Sequence, residues 1–210
     1  MMRSALVLLF ITVLAQTSLV SAQVGNNQTL LDPNLAEAAE LTSLPHVTAP
    51  LAEAVIAARP ILSATQLNSV MTGALNDGQR TELYARLFRA INLNNASRDE
   101  IMLIPGMTAR MAHEFEEYRP YTSLAQFRRE MGKYVDAAEV ARLEQYVFIP
   151  MNLNSASGED FATIPGMTAR MVHEFEEYRP YTSIEQFRRE IGKYVDVNEV
   201  ARLESYVTLE

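Results

Sequence analysis

The chain of 210 residues contains no cysteine. That removes disulfides, iron–sulfur centres, cysteine-linked haem and thiol chemistry. A bacterial-type lipid anchor is excluded as well, because no cysteine follows the apolar N-terminal run. Histidine is scarce, with three in all: His46, His113 and His173. Zinc needs three or four ligands close together, and neither a His-Glu-x-x-His string nor an Asp/His cluster occurs, so no metal or other cofactor is read here. Alternating apolar and polar residues, the mark of a half-buried strand, are almost missing outside 148–153. Basic residues are outnumbered: 18 Lys and Arg against 26 Asp and Glu give a net charge of −8. A general grip on nucleic acid needs a positive surface. The balance excludes that and leaves room only for a local basic patch.

What is present begins with a leader. Met1–Arg3 is a short basic start, Ala5–Leu14 is apolar, and Val20-Ser21-Ala22 reads as a small-residue cleavage signal before Gln23. That order predicts a secretory signal peptide over 1–22, with an uncleaved N-terminal anchor as the alternative. The 16 residues from Ala5 to Val20, interrupted by Gln16, Thr17 and Ser18, are short for a membrane span. Removing Arg3 with the leader leaves 17 bases and 26 acids, net −9. Export without disulfides favours the periplasm, or the outer face of a bacterial membrane.

Behind the leader the sequence repeats. Ile104–Arg110 (IPGMTAR) recurs at Ile164–Arg170, and residues 92–149 match 152–209 at 42 of 58 positions. This is a duplication. The same offset of 60 places Leu44-Pro45 under Ile104-Pro105 and Arg59-Pro60 under Arg119-Pro120; 32–91 and 92–151 share 14 of 60 positions without a gap. The chain therefore reads as a leader (1–22), an extension (23–31) and three units at 32–91, 92–151 and 152–210.

Each unit reads as four short helices, so the fold class expected is all-α. In the second unit Ser97 with Glu100, Ser123 with Gln126 and Asp136 with Glu139 have the spacing of capping boxes. Pro105-Gly106 should end the first helix. The second should run from about Ala109 to Tyr118 with Met111, Phe115 and Tyr118 inward, the third should bury Leu124, Phe127 and Met131, and the fourth Val140, Leu143 and Val147. Helices this short are marginal alone, and a 60-residue unit buries little of its surface. With an apolar link at Phe148–Met151, neighbouring units are expected to pack end to end as a rod.

The string Asn-Leu-Asn-x-Ala-Ser at 92–97 and 152–157, an acidic pair, then Ile-Pro-Gly-Met-Thr, resembles the helix-hairpin-helix family. The nearest branch is the exported one, which includes competence-type DNA receptors and the small extrinsic lumenal subunit of photosystem II. The resemblance implies two hairpins per unit. It also implies either DNA as partner or an extrinsic, non-catalytic place on a membrane complex, with a photosynthetic complex among the hosts. In the DNA-binding members the turn offers backbone N–H groups and a helix N-terminus to a phosphate. Here Gly106 and Gly166 match the first glycine of that turn, but Thr108 and Thr168 replace the second, and copy one has His46 and Thr48. Lys133/Val135 and Lys193/Val195 fill the glycine positions of the second hairpins.

Candidate phosphate contacts on the DNA reading are therefore Gly106, Thr108, Arg110, Gly166, Thr168, Arg170, Lys133 and Lys193. The Glu-rich stretches 114–117 and 174–177 follow the arginines and oppose a phosphate backbone; alone they read as a solvated face. Arg128-Arg129-Lys133 and Arg188-Arg189-Lys193 read either as phosphate patches or as ion pairs with neighbouring glutamates. The Tyr-Arg-Pro-Tyr strings give a candidate protein interface at Tyr118, Arg119, Tyr121, Tyr178, Arg179 and Tyr181, with capping of the core as the competing role. No hydroxyl, thiol or histidine recurs in a catalytic arrangement. The expected function is a non-catalytic module binding other envelope or membrane-complex proteins, with DNA binding as the alternative and no transmembrane span after cleavage. Unit one carries −2 (6 acids, 4 bases) against −5 for unit three (11 acids, 6 bases), and is expected to make the more apolar contact.

Overall fold

The computed structural model describes residues 23–25 and 29–209; the leader read over 1–22 lies outside them. Among the described residues the chain is mostly helical, with twelve short helices and four two-residue strands. Residues 32–91 hold α1 (Ala38–Thr42), α2 (Ala49–Ala57), α3 (Ala64–Thr72) and α4 (Asp77–Tyr84). Residues 92–151 hold α5 (Arg98–Met102), α6 (Ala109–Glu117), α7 (Leu124–Met131) and α8 (Ala137–Glu144). The rest hold α9 (Gly158–Phe161), α10 (Ala169–Glu177), α11 (Ile184–Ile191) and α12 (Val197–Glu204).

Local chemistry sets the helix ends. Ser97 with Glu100, and Ser157 with Asp160, satisfy each other's backbone N–H in reciprocal capping boxes. Two expected boxes are half-boxes. Ser123 caps α7, but the Gln126 amide instead accepts from Thr122 N–H at 2.9 Å and donates to the Tyr118 and Pro120 carbonyls at 3.4 Å. Asp136 accepts from Glu139 N–H at 2.9 Å, while the Glu139 carboxylate turns to Arg142 at 2.6 Å. In both cases a stronger or better-placed partner takes the side chain. The predicted apolar stripes are inside: Phe115, Leu124, Phe127, Met131 and Leu143 are all 0–1% exposed, and Phe115 meets Phe127 edge-to-face at 5.2 Å. Val147 is buried too, but in a strand, since α8 stops at Glu144.

Short strands tie each 60-residue stretch shut. β1 (Ile91–Asn92) pairs in parallel with β2 (Val147–Phe148), and β3 (Met151–Asn152) with β4 (Val207–Thr208). A lone parallel bridge, Leu31 to Leu87, does the same for residues 32–91. Residues 23–25 lie beside β2: Val24 bridges Phe148 antiparallel, and Gly25 N–H donates to Val147 O at 3.1 Å. Only the region around 148–153 carried a strand signal. The other partners have no alternation to read.

A second tie repeats three times. Asn94 donates its amide to Tyr121 O at 2.9 Å and accepts Tyr121 N–H at 2.7 Å. Asn34 does this to Ile61, and Asn154 to Tyr181. The three Arg-Pro bonds just before these residues, 59–60, 119–120 and 179–180, are cis. Each arginine points back: Arg119 donates to Leu93 O at 2.6 Å and Ala96 O at 2.7 Å. Asn94→Ala would strip both partners from the buried Tyr121 backbone. We expect a loss of about 1–3 kcal/mol in denaturant unfolding, with a smaller loss for Asn94→Gln if the longer amide re-forms one bond.

The packing departs from an end-to-end rod. Consecutive units do touch: Ala64 N–H donates to Glu100 Oε1 at 3.1 Å, and a single apolar core runs from Leu30 to Ile149. The first unit also reaches the third. Arg89 donates to Tyr206 and Ser205, and an alanine-like Cβ placed on Gly166 would lie 2.9 Å from Leu35 Cδ1. The fold-back buries Arg89, on the link after unit one, against hydroxyls that unit three supplies and beside Asp32 of its own unit.

Candidate functional site

The residues marked out by the sequence gather at the hairpin ends of units two and three. Pro105-Gly106 and Pro165-Gly166 make the turns into α6 and α10, with Gly106 at φ 76° and Gly166 at φ 74°. In unit one His46 takes the same left-handed conformation, φ 66°, and its Nε2 lies 2.7 Å from Glu82. Thr108 and Thr168 are N-caps whose hydroxyls accept the Met111 and Met171 N–H groups at 3.2 Å. An orphan donor that a phosphate would use is thus already taken. At the second hairpins the caps are carboxylates, Asp136 and Asp196. These place negative charge where an anion would sit.

The cations are engaged as well. Arg128 makes a two-pronged pair with Glu144 at 2.6 and 2.7 Å, and Arg188 the same with Glu204 at 2.6 Å. Arg129 and Lys133 converge on Glu130, and Arg189 and Lys193 on Glu190. The lysine hydrogen bond, then the arginine one, holds the Glu130 and Glu190 carboxyls below the usual range, and Lys133 and Lys193 are raised in turn by their glutamates. Lys133 and Lys193 therefore make the ion pairs that were the alternative to phosphate contact, with side chains still half-exposed. Arg110 and Arg170 are exposed and stand over Tyr134 and Tyr194, at 5.9 and 5.3 Å from the ring centres.

The Tyr-Arg-Pro-Tyr strings also land differently from an interface. Tyr121 and Tyr181 are 1% and 3% exposed, so they belong to the core. Burial pushes both phenols far above their ordinary pKa. Arg119 and Arg179 are spent on backbone carbonyls. Of the six, Tyr118 and Tyr178 keep partly open faces, joined to Tyr134 and Tyr194 by hydroxyl contacts of 2.8 Å. The second tyrosine takes the competing role in the core, where Asn94 and Asn154 fix its backbone.

Among the carboxylates one is misplaced by a solvated-face reading. Glu174 is 7% exposed, with Arg170 Nε 4.0 Å away. His113 and His173 are exposed beside Glu117 and Glu177, at 3.7 and 3.1 Å. No group of three or more potential metal ligands occurs among the described residues. No helix among them is long and apolar enough to cross a membrane.

Sequence reading missed Asn34, Asn94 and Asn154, although the in-phase Asn-Leu-Asn strings marked two of them. It also missed Arg142 and Arg202, which donate to the turn carbonyls Pro105 and Pro165 at 2.7 Å. Arg142 keeps a side chain 33% exposed while that of Arg202 is 2% exposed, because unit one lies against the Pro165 turn and, among the described residues, no other unit lies against the Pro105 turn. An open cleft of about 640 Å³ lies between Asn94, Asn95, Pro120 and Ile149 on one side and Ser205 and Thr208 on the other.

No protein-family model matches the chain, and no solved structure matches it. A 130-residue alignment shows 28% identity to the endonuclease/exonuclease/phosphatase family domain-containing protein 1 of Xenopus laevis, taking in 45% of this chain and 23% of that protein. The chain thus spans less than a quarter of the relative's length.

Proposed function

We propose that the chain is an exported, non-catalytic protein-association module of three tandem helix-hairpin-helix units, 32–91, 92–151 and 152–210. In this reading it serves as an extrinsic subunit on the outer face of a membrane complex. One observation carries the choice over nucleic acid: the hairpin ends are internally satisfied. Their threonines cap the helices, their second turns are capped by aspartates, and the two basic triplets are paired with glutamates. A phosphate backbone would have to displace these partners from a chain of net charge −8. Protein partners meet no such obstacle, since clefts lined by uncharged amide, hydroxyl and apolar groups remain open. The activity named for the Xenopus laevis protein is not carried over, because the alignment takes in 23% of that protein.

Capture from detergent-solubilised envelope, with the full chain as bait, tests this reading. It expects a reproducible protein partner, and the absence of any would reject it. N-terminal sequencing tests export: a mature chain still carrying residues 5–20 would reject cleavage after Ala22.

DNA binding is the second reading. It is favoured by Arg110 and Arg170, exposed just past the left-handed Gly106 and Gly166 turns. On the preferred reading, duplex affinity at roughly 150 mM salt is weak, and falls steeply as salt rises. Sub-micromolar binding abolished by Arg110→Glu with Arg170→Glu would reverse the ranking. Thr108→Gly with Thr168→Gly separates the causes: increased affinity would blame the occupied caps, and no change would blame acidic repulsion.

A further inference from the structure

Residues 23–25, which directly follow the leader read over 1–22, are docked onto the fold. Gln23 O accepts the Ile149 N–H at 2.9 Å and Gly25 N–H donates to Val147 O at 3.1 Å, so the segment lies as an added strand along β2. Val24 between them is 5% exposed and joins the apolar core that contains Phe148, Met151 and Phe161. Gly25 passes so close to the end of α8 that a Cβ there would lie 1.7 Å from Glu144 O. Only glycine allows that approach. The strand thereby fixes where Gln23 stands: on the wall of a cleft of about 290 Å³, with Thr122, Pro150, Asn152, Ser155 and Asp160 around it.

Asp160 brings an unused oxygen to that region. In unit two its counterpart Glu100 employs both carboxylate oxygens. Oε2 accepts the Ser97 N–H at 3.2 Å, and Oε1 accepts the Ala64 N–H of the preceding unit at 3.1 Å. In unit three Asp160 Oδ2 accepts the Ser157 N–H at 3.0 Å and the Ser157 hydroxyl at 2.8 Å. Its Oδ1 is buried and accepts nothing from the described residues. A buried carboxylate oxygen without a donor is destabilising, and no lysine or arginine lines the cleft. Cleavage after Ala22 would create a cation there, the α-ammonium of Gln23.

We propose that the cleft holds the α-ammonium of the mature N-terminus, paired with Asp160 Oδ1. This rests on the export reading, and on cleavage between Ala22 and Gln23 in particular. Before cleavage the Gln23 nitrogen is a neutral amide with more chain ahead of it; afterwards it carries the charge that answers the carboxylate. Removal of the leader thus tightens the strand 23–25 on β2. It also guards Gln23 chemically. An N-terminal glutamine cyclises when its neutral amine nitrogen bonds to its own side-chain carbonyl carbon and the side-chain nitrogen leaves as ammonia. A carboxylate beside the amine favours the protonated form, which has no lone pair for that attack.

Chains released from a fusion partner to begin at Gln23 or at Val20, each with Asp160 and with Asp160→Asn, test the pair. Asparagine keeps an oxygen for the Ser157 cap, and a start at Val20 moves the charge three residues away. In denaturant unfolding the Gln23 start should favour the folded state by at least about threefold with Asp160, and give no such gain with Asp160→Asn. Mass spectrometry of the folded chains gives a second readout: loss of ammonia from Gln23 should run at least about threefold faster in Asp160→Asn. Equal gains in the two backgrounds, or equal cyclisation rates, would each overturn the pair and leave the export reading standing. So would a mature chain recovered from the envelope with Gln23 already cyclised. A mature chain cut at another bond would overturn both.

Discussion

Arg89→Ala is expected to lower the unfolding free energy by about 3–5 kcal/mol, the cost of leaving a buried charge without its partner. Arg89 is fully buried, with its guanidinium 4.5 Å from the Tyr206 ring centre and 5.7 Å from that of Phe148. It donates to Ser205 Oγ at 2.6 Å and to the Tyr206 hydroxyl, and lies 3.9 Å from the Asp32 carboxylate. Asp32 is only 8% exposed, so the truncation strands an acid as well as opening a void. Tyr206 offers limited relief: burial first of all pushes its phenol up to about 12, so it stays protonated and still faces Asp32 Oδ2 at 3.4 Å. The acid can be removed by a residue the fold already uses. Asn92 and Asn152 stand at the equivalent positions and accept the same N–H two residues on that Asp32 Oδ1 accepts from Asn34. Arg89→Met with Asp32→Asn should therefore recover most of the loss, since a packed apolar side chain replaces an ion pair well. Denaturant midpoints for the single and double variants decide this. A loss below about 1 kcal/mol for Arg89→Ala would mean that the contact between units one and three adds little.

The contrast between what was legible and what was not follows from range. Caps and stripes are local, and Ser97, Ser157, Phe115 and Phe127 do what their spacing demands. The reach of Arg89 across 117 residues to Tyr206 has no local signature, and its counterpart Ile149 gives no repeat signal. A rod was the natural reading of small units joined by an apolar link. What bends it is a side chain that one of the two links lacks. At the Pro105-Gly106 and Pro165-Gly166 turns the sequence located the helix breaks, and it picked out the basic triplets. It could not decide whether Lys133 faces a ligand or Glu130, because one turn of helix separates the two and side-chain direction settles the matter. Tyr121 was left open between interface and core for a different reason. A tyrosine after proline in a polar stretch looks exposed until Asn94, 27 residues earlier, is seen to hold its backbone inward.

Gly166→Ala should cost about 1–3 kcal/mol, against about 1–2 kcal/mol for Gly106→Ala. Both glycines are left-handed, so a side chain is strained at either position. The sites differ in what a new Cβ would meet. At Gly106 it finds only Arg142 Nη2 at 3.5 Å, an ordinary contact with a flexible group. At Gly166 it comes within 2.9 and 3.1 Å of the two Leu35 methyls, the end of a unit-one side chain that is 38% exposed and must shift aside. The excess at Gly166 therefore measures how firmly the first unit packs on the third. Leu35→Ala should reduce that excess, leaving Gly166→Ala close to Gly106→Ala in the same background. A double-mutant cycle on unfolding free energies reads it directly, with a coupling of about 1 kcal/mol or more expected. Equal costs at the two glycines, or no coupling to Leu35, would mean that Leu35 swings clear of the turn and adds little to the fold-back contact.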